Sequence, residues 1–373
     1  MIHTLQLRNF KCFEDQTLSF GRLTLLAGLN GTGKSSVLQA LLLLRQSYHQ
    51  GLLLQTGLSL NGDWVRLGTA SDALFEGAQE ETIGFDLVLD DGRTGGWRFN
   101  YNREADVLDL ASAQIAEDIF ASSLFSDDFH YLQAERIGPR TSFDMSDFLV
   151  RQHRQLGTRG EYAAHFLAVF GQNNIPNTTL AHGQATSHQL RDQVEAWIGE
   201  VSPGTRLHFT PHAGMDLVNL QYSFVLGHQV SNPYRPTNVG FGITYTFPIL
   251  VALLSSSPGA VLLLENPEAH LHPKGQVSMG DLIARAAACG VQVVIETHSD
   301  HILNGIRLAV HAGKLSPDDV SLHFFERPQQ TGQSCSEVSS PRIDRNGRLD
   351  HWPDGFFDEW EKSLQVLLAP GGV

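Results

Sequence analysis

The sequence predicts an α/β fold with a parallel central sheet, and two observations support that fold class. The first is the pattern G-x-x-x-x-G-K-S at residues 28–35, which lies between an apolar run at 23–27 and a leucine-rich stretch at 36–45. The second is the stretch 258–325, where apolar strand-like runs alternate with helical segments. Strand, glycine turn and helix form the context in which this pattern binds phosphate. The sequence therefore predicts a P-loop NTPase.

Residues 1–139 are predicted to combine the phosphate loop with an antiparallel β subdomain. Strand-like segments recur through this part, at 2–7, 18–20, 23–27, 82–89, 96–101 and 129–133. The turn Asp90-Asp91-Gly92-Arg93 joins two of them into a predicted hairpin. Residues 104–128, between the hairpin and the last of these strands, are expected to be helical.

The rest of the chain divides into three predicted parts. Residues 140–235 are polar and mixed, with one good helix near 189–199, and are expected to form an inserted helical or mixed lobe. Residues 236–330 return to the α/β pattern, and strands are expected there at 260–264, 291–295 and 321–325. Residues 331–373 form a predicted C-terminal tail region.

Composition limits the class of protein. The chain has 373 residues, a net charge of −14, 42% hydrophobic and 18% charged residues, which is typical of a soluble globular protein. No apolar run approaches the roughly 20 residues that a membrane span needs. Cys12, Cys289 and Cys335 are far apart, so neither a disulfide framework nor a zinc ribbon is expected. We expect a cytoplasmic protein without membrane association, and its acidity argues against broad adhesion to nucleic acid.

The phosphate loop predicts how a nucleoside triphosphate, taken as ATP, would be held. Glycines let main-chain N–H groups wrap a polyphosphate, and the helix N-terminus adds its positive dipole end. Lys34 is expected to reach the β- and γ-phosphates, and the Ser35 hydroxyl to ligate Mg²⁺. The nucleotide-binding residues predicted in this segment are Asn30, Gly31, Thr32, Gly33, Lys34, Ser35 and Ser36.

Two later strands end in polar residues of the kind that complete such a site. The apolar run 261–264 ends in Glu265, a carboxylate expected to hold Mg²⁺ and its water beside the phosphate loop. The run 293–295 leads into Glu296-Thr297-His298, and His298 is expected to contact the γ-phosphate. Each fragment is a weak signal alone, but their order behind a phosphate loop makes them reinforce one another.

These motifs resemble a known class of proteins. The opening Leu7–Phe13, followed by the phosphate loop, resembles the RecF and structural-maintenance-of-chromosomes (SMC) class of ABC-type ATPase heads. Residues 265–273 and His298 resemble the Walker B, D-loop and switch-histidine elements of the OLD-like branch of that class. Residues 131–140 (YLQAERIGPR) and 352–359 (WPDGFFDE) resemble a bacterial ATPase family with a C-terminal region of unknown function.

The resemblance implies an ABC-type ATPase head with an antiparallel β subdomain and a helical lobe. Heads of this class form dimers, or larger oligomers, in which each nucleotide lies between one subunit's phosphate loop and the other's signature segment. Residues 236–244 are the candidate signature here, with Asn238, Gly240 and Gly242 as nucleotide contacts. Glycine amides at a helix start can bind an anion, although a helix entry without a ligand has the same appearance.

Two further positions follow from the resemblance. Lys11, in the opening motif, is expected beside the nucleotide. Gln133 lies where the resemblance places the Mg²⁺-sensing glutamine, and three other residues nearby in sequence remain alternatives: Gln46, Gln50 and Gln55.

One departure from the ABC pattern concerns turnover. The residue after the Walker B acid is usually a Glu that polarises the attacking water, whereas this chain has Asn266. An amide can position water but cannot accept its proton, so we expect slow hydrolysis, which suits a switch more than a motor. Glu268 takes the role of the base if its loop bends toward the γ-phosphate. The predicted catalytic set is therefore Lys34, Glu265, Asn266, Glu268 and His298.

A rival interpretation makes the chain a metal-dependent nuclease or phosphodiesterase. It uses a set of metal-ligand types around the Walker B and switch segments, namely Glu268, His270, His272, His298, Asp300 and His301. His-x-His and His-x-x-His spacings are easily met by chance, and capping or interface roles explain these positions better.

The expected partners follow from what the sequence lacks. No heptad repeat separates the phosphate loop from the signature, and the segment after His298 is too short for a nuclease domain. We therefore expect a separately encoded effector in a bacterial DNA-repair or anti-phage defence system. DNA itself could be contacted by a local basic segment, Arg136, Arg140, Arg151, Arg154 and Arg159, although a structural arginine set has the same appearance.

Overall fold

The computed structural model of the chain describes residues 1–327 and 335–368, and in these it contains two six-stranded sheets and one four-stranded sheet. The strands, in chain order, are β1 Ile2–Phe10, β2 Phe13–Ser19, β3 Leu23–Gly28, β4 Gly57–Ser59, β5 Thr82–Leu89, β6 Thr94–Asn100, β7 Val107–Ile115, β8 Phe129–Leu132, β9 Phe143–Asp144, β10 Thr205–His212, β11 Leu217–Leu226, β12 Gln229–Val230, β13 Val261–Glu265, β14 Gln292–Glu296, β15 Val320–Glu326 and β16 Glu337–Ser339. The α-helices are α1 Lys34–His49, α2 Ala163–Phe170, α3 Leu190–Ile198, α4 Phe241–Ser255, α5 Pro273–Ala288, α6 Asp300–His311 and α7 Glu359–Leu368.

The central sheet has the strand order β16-β15-β3-β14-β13-β8. Strands β15, β3, β14, β13 and β8 run parallel, and β16 is antiparallel at the edge. The middle strands are buried along nearly their whole length, which is typical of a parallel sheet covered on both faces. The strands predicted at 260–264, 291–295 and 321–325 are confirmed. Strand β14 lies between β3 and β13, so their carboxyl ends meet at one edge of the sheet.

The second six-stranded sheet has the order β2-β1-β5-β6-β7-β4 and is antiparallel throughout. The predicted hairpin is confirmed, since β5 pairs with β6 across the turn at 90–93. The expectation of helix over 104–128 is wrong, because Val107–Ile115 forms strand β7, paired with β6 and β4. Alanine and leucine at 108–113 favour a helix locally, but pairing with two strands outweighs that preference.

Residues 140–235 contain helices and a small antiparallel sheet. In this sheet β11 pairs with β10, β12 and β9. The helix predicted near 189–199 is confirmed as α3, which contacts α4. The sequence analysis did not predict strands β10 and β11. One face of β10 is largely exposed, so its sequence mixes polar and apolar residues and lacks the apolar run of a buried strand.

Two hydrophobic clusters cover the two faces of the central sheet. Helix α1 packs between it and the antiparallel sheet, and Leu41 shares a cluster with Val294 of β14. Helices α4, α5 and α6 cover the other face, where Val293 of β14 shares a cluster with Leu250. Successive residues of a strand point to opposite faces, which is why Val293 and Val294 fall in different clusters. None of the helices in the described part of the chain is long and apolar enough to cross a membrane.

The C-terminal segment packs partly onto the central sheet. Phe356 is fully buried, and its ring lies 5.3 Å from that of Phe324 on β15. Residues 328–334 and 369–373 lie outside the described part, so the predicted tail region 331–373 is described only over 335–368.

Candidate functional site

The phosphate loop connects the end of β3 to the start of α1. Gly28 and Gly33 have φ values of 141° and 101°, which favour glycine. A Cβ on Gly33 would also lie 2.4 Å from the Cys12 sulfur, so the β1–β2 turn packs closely against the loop. Gly33 is the N-cap of α1, and no side chain of the described residues caps this helix start. The Ser36 amide donates to the Gly33 carbonyl, and the earlier amides of this turn point toward a site for an anion.

Lys34 lies along the loop and is almost completely buried. Its Nζ donates to the main-chain carbonyl oxygens of Gly28 at 3.0 Å and Leu29 at 2.7 Å. Burial lowers the pKa of Lys34 from its ordinary value, and the charge of Glu296 partly opposes that effect. The Thr32 hydroxyl donates to the Leu29 carbonyl and is buried, while nucleotide binding by Thr32 stays a prediction. This hydrogen bond shapes the loop.

A cavity of about 470 Å³ opens over the loop, within the usual range for a small-molecule site. Most of the predicted nucleotide-binding residues line it: Lys11, Asn30, Gly31, Gly33, Lys34, Ser35 and Ser36. Lys11 donates from Nζ to Gln39 at 2.7 Å, and burial lowers the pKa of Lys11. Glu296, Arg327 and Gln39 also line the cavity, and the sequence did not predict them. Glu265, Asn266, Glu268 and His298 do not line it.

Glu265 ends β13, and both of its carboxylate oxygens accept hydrogen bonds. The Tyr131 hydroxyl donates to Oε1 at 2.8 Å, and the Ala134 amide donates to Oε2 at 2.9 Å. Burial raises the pKa of Tyr131, and the nearby charge of Glu265 raises it further, so the phenol stays protonated. Glu265 thus holds the segment that carries Gln133.

Glu296 is the acidic site residue that sequence reasoning missed. It ends β14, next to β3, and the Ser35 hydroxyl donates to its Oε1 at 3.0 Å. Lys34 Nζ lies 4.0 Å from the same oxygen. Burial raises the pKa of Glu296 to about 7, and the charge of Glu265 adds to this effect. The available signal was its position, directly before Thr297-His298 at the end of a buried strand.

Asn266 adopts a left-handed conformation with φ 44°, which Asn tolerates better than most residues. The main-chain N–H of Asn266 donates to the main-chain carbonyl of Glu296 at 2.8 Å. The main-chain carbonyl of Asn266 accepts from Arg136 Nη2 at 2.7 Å. Two hydrogen bonds therefore hold the main chain of the residue after the Walker B acid.

The carboxylate of Glu268 anchors the segment that carries the switch histidine. It accepts from the Thr297 hydroxyl at 2.7 Å and from the His298 amide at 2.9 Å. His298 is exposed to solvent on one side, and protein atoms surround it on the other. Desolvation by these atoms, and then the charge of Lys34, lower the pKa of His298. The catalytic roles of Glu268 and His298 stay predictions.

The metal site of the rival interpretation is absent from the part of the chain that the structure describes, where no group of three His, Cys, Asp or Glu side chains is placed to hold a metal ion. His270 lies against Tyr245, with ring centroids 4.5 Å apart. His272 caps the start of α5 by accepting from the Lys274 amide, and His301 lies beside Asp300 on α6. The predicted metal cluster of Glu268, His270, His272, His298 and His301 is therefore wrong: these residues do not come together as the nuclease or phosphodiesterase interpretation requires.

The candidate signature lies at the start of α4. Residues Pro236–Asn238 form a 3₁₀ turn, Gly240 is the N-cap of α4, and no side chain caps this helix. A Cβ on Gly242 would lie 2.7 Å from the His270 carbonyl oxygen, so the helix start packs on the D-loop segment. Asn238, Gly240 and Gly242 are not among the residues that line the cavity of their own chain.

The glutamine alternatives separate in the structure. The Gln46 side chain donates to the Ser59 carbonyl and accepts from the Trp64 and Val65 amides, so it is a buried structural residue. Gln50 and Gln55 follow at the far end of α1, away from the phosphate loop. Gln133 directly follows β8 and stays the predicted Mg²⁺-sensing residue.

The basic segment does not form one surface for nucleic acid. Arg136 is 1% exposed, so for this residue the structural alternative is confirmed and contact with nucleic acid is wrong. Arg151 pairs with Asp147, and Arg159 pairs with Glu135. Arg154 lies over the Phe170 ring at 4.7 Å, which leaves Arg140 as the exposed member for which the described residues give no acidic or aromatic contact.

Comparisons with known proteins agree with this geometry. The family model "AAA domain, putative AbiEii toxin, Type IV TA system" matches residues 76–304, and the model "AAA ATPase domain" matches residues 1–105. The model "Protein of unknown function (DUF3696)" matches residues 315–367. A search of curated proteins finds no match.

Solved structures show the same fold. An SMC head bound to the C-winged helix domain of ScpA is 15% identical, with a TM-score of 0.55, over 92% of this chain and 98% of that chain. An SMC head with an extended coiled coil, bound to the C-terminal domain of ScpA from Pyrococcus furiosus, is 14% identical, with a TM-score of 0.53, over 98% of each chain. These identities establish an ABC-type head fold alone. Because the first family model matches more than half of the sequence, the chain belongs to the AAA-domain ATPase family that this model describes.

Proposed function

We propose that this ATPase is a nucleotide-dependent switch that dimerises around ATP and Mg²⁺ and signals to a separately encoded effector. The observation that carries the proposal is the uncapped, glycine-rich start of α1, with Lys34 and Ser35 lining a cavity over it. Main-chain amides, a lysine and a metal-binding hydroxyl are the groups that hold a triphosphate in P-loop NTPases. Ser35 and Glu265 would hold Mg²⁺, with Gln133 sensing it.

Dimerisation is supported by the position of the signature. Asn238, Gly240 and Gly242 lie at an uncapped helix start but do not line their own chain's cavity. A helix start of this kind can accept a phosphate from a second subunit. A Cβ on Gly240 would meet no atom of the described residues within 4 Å, so the approach to this helix start is open.

Slow hydrolysis follows from the residues that we expect beside the attacking water. Asn266 supplies an amide in place of a carboxylate, and the Glu268 carboxylate already holds Thr297 and His298. Positioning and charge stabilisation remain, so turnover is reduced and not abolished. Rapid ATP turnover that survives Glu268→Gln would overturn this part of the proposal.

A defence or DNA-repair role is the finer part of the proposal. The description of the matched family, "AAA domain, putative AbiEii toxin, Type IV TA system", favours defence. SMC heads of the same fold have been solved bound to domains of another protein, ScpA, which favours signalling through a partner. Identifying the protein that co-purifies with the ATP-bound form, and not with the nucleotide-free form, tests for the effector.

The decisive experiment measures mass by light scattering, with and without saturating ATP and Mg²⁺. Wild type and Glu265→Gln are expected to double in mass with ATP. Lys34→Ala should stay monomeric because it loses phosphate binding. Gly240→Asp should bind ATP and stay monomeric, since its carboxylate would repel a partner's γ-phosphate. An unchanged mass with ATP, or a dimer that persists in Lys34→Ala, would contradict nucleotide-driven dimerisation.

A further inference from the structure

A buried carboxylate at the phosphate loop has a spare oxygen. Glu296 is 7% exposed and lines the cavity over the loop. Its Oε1 accepts the Ser35 hydroxyl proton, whereas its Oε2 is buried and has no hydrogen-bond partner in the described residues. Leaving a buried, ionisable oxygen without a partner is costly. Such an atom next to a phosphate-loop serine indicates a missing cationic partner.

Lys34 does not supply that partner. Its Nζ already donates to two loop carbonyls and lies 4.0 Å from Oε1 of Glu296, beyond hydrogen-bond distance. Once nucleotide binds, Lys34 is expected to turn toward the phosphates, which removes even this weak pairing. Among the described residues, the Glu296 carboxylate therefore has one hydrogen-bond partner, the Ser35 hydroxyl.

Glu265, the acid of the Walker B motif, is placed differently. Glu265 and Glu296 are directly paired residues of the parallel strands β13 and β14, and β14 lies next to β3. Glu296 is thus one strand closer to the phosphate loop than Glu265, and neighbouring strands of a sheet are about 4.8 Å apart. Both oxygens of Glu265 already accept hydrogen bonds, from Tyr131 and Ala134. The spare carboxylate oxygen at this edge belongs to Glu296.

We propose that Glu296 is a direct ligand, together with Ser35, of the divalent cation that accompanies the nucleotide, an inference that rests on the proposed binding of ATP and Mg²⁺. Carboxylate and hydroxyl oxygens suit a hard cation such as Mg²⁺ or Mn²⁺. Glu265, given above as the second ligand, then acts chiefly as a positioning residue instead, holding the Tyr131–Ala134 segment. The cation would neutralise two neighbouring carboxylates that otherwise repel each other.

The experiment measures the binding of Mn²⁺, by its electron paramagnetic resonance signal, and of a non-hydrolysable ATP analogue. Glu296→Gln is expected to weaken Mn²⁺ binding in the presence of the analogue by at least about tenfold. In EDTA, the same variant should bind the analogue as well as wild type or better, because a negative charge near the phosphates is gone. The gain in nucleotide affinity on adding Mn²⁺ should therefore shrink in this variant.

Matched variants make the result specific. Ser35→Ala should also lose Mn²⁺ affinity. Glu326→Gln should behave like wild type, because Glu326 ends β15 on the opposite side of β3 and does not line the cavity. Glu296→Gln should fold, since it removes a buried charge, and its melting temperature without metal should equal or exceed that of wild type.

Three outcomes separate the hypotheses. Unchanged Mn²⁺ affinity in Glu296→Gln would overturn the ligand assignment while leaving ATP binding in place. Equal losses of analogue affinity with Mn²⁺ and with EDTA would show that Glu296 only supports the loop, and would also overturn it. Failure of wild type to bind the analogue under either condition would instead contradict the proposed function on which the inference rests.

Discussion

The Arg136 guanidinium donates from Nη2 to the main-chain carbonyl oxygen of Asn266 at 2.7 Å. It also donates to the carbonyl oxygens of Glu265 at 2.5 Å and Tyr245 at 3.1 Å. Burial lowers the pKa of Arg136 to about 10, which still leaves it charged at neutral pH. One buried side chain thus connects the end of β13, where the Walker B acid lies, to helix α4, which begins at the candidate signature.

Replacing Arg136 with methionine should destabilise the fold strongly. The change keeps an unbranched apolar stem but leaves several buried carbonyls without a donor, so we expect a loss of about 3 kcal/mol in the free energy of unfolding. Urea denaturation measures it. The control is Arg140→Met, which alters an exposed arginine and should change stability by less than about 0.5 kcal/mol. Equal effects of the two variants would contradict the connecting role of Arg136.

Two glycines of the signature should respond differently to alanine. A Cβ on Gly242 would lie 2.7 Å from the His270 carbonyl oxygen, whereas one on Gly240 would meet no atom of the described part of the chain within 4 Å. Gly242→Ala should therefore destabilise by about 1–3 kcal/mol, despite the higher helix propensity of alanine. Gly240→Ala should cost less than about 1 kcal/mol. Thermal denaturation of both variants measures the difference, and a Gly242→Ala protein as stable as wild type would contradict this packing.

The sequence predicts those parts of the fold whose conformation is determined by residues that are neighbours along the chain. The phosphate loop, α1 and the buried strands β13, β14 and β15 follow from neighbouring apolar runs and glycines. Strand β7 was missed because its pairing with β6 and β4 decides its conformation. The prediction of a metal-binding histidine cluster is wrong, because spacing in sequence does not show that His270 lies against Tyr245 or that His272 caps a helix.

The site was only partly predictable for a related reason. Glu296 follows Glu265 in sequence, yet β14 lies between β13 and β3, so the later carboxylate is nearer to Ser35. Strand order is a property of the whole sheet, and no local pattern encodes it. Arg136 was likewise assigned to a surface because burial of an arginine depends on acceptors from distant segments, such as Tyr245.

The buried imidazole of His130 should make stability depend on pH. Burial, and then the charges of Arg45 and Arg154, lower the pKa of His130 to about 4. The unfolded chain, with a histidine pKa of about 6.5, takes up the proton first as pH falls. The contribution of neutral His130 to the free energy of unfolding is therefore fully present above pH 6.5. It falls by up to about 3 kcal/mol as the pH drops toward 4.

Denaturant unfolding of wild type and His130→Gln between pH 7.5 and 4.5 checks this expectation. The variant should lose stability less steeply as pH falls. The control is His188→Gln, which alters an exposed histidine and should keep the wild-type pH dependence. Parallel curves for wild type and His130→Gln would show that His130 is not the group responsible.

Asn266 sets the expected rate of ATP hydrolysis, and two substitutions of matched shape separate its chemistry from its backbone conformation. Because residue 266 has a left-handed φ of 44°, replacing Asn266 with Glu or Gln should lower the free energy of unfolding by about 1 kcal/mol. Asn266→Glu adds a carboxylate that can accept the water's proton, so we expect steady-state phosphate release to rise by at least about tenfold. Asn266→Gln has the same shape and strain without a basic oxygen, and should stay as slow as wild type. Equal rates in both variants would mean that residue 266 does not face the attacking water, and that the limit on turnover lies elsewhere in the site.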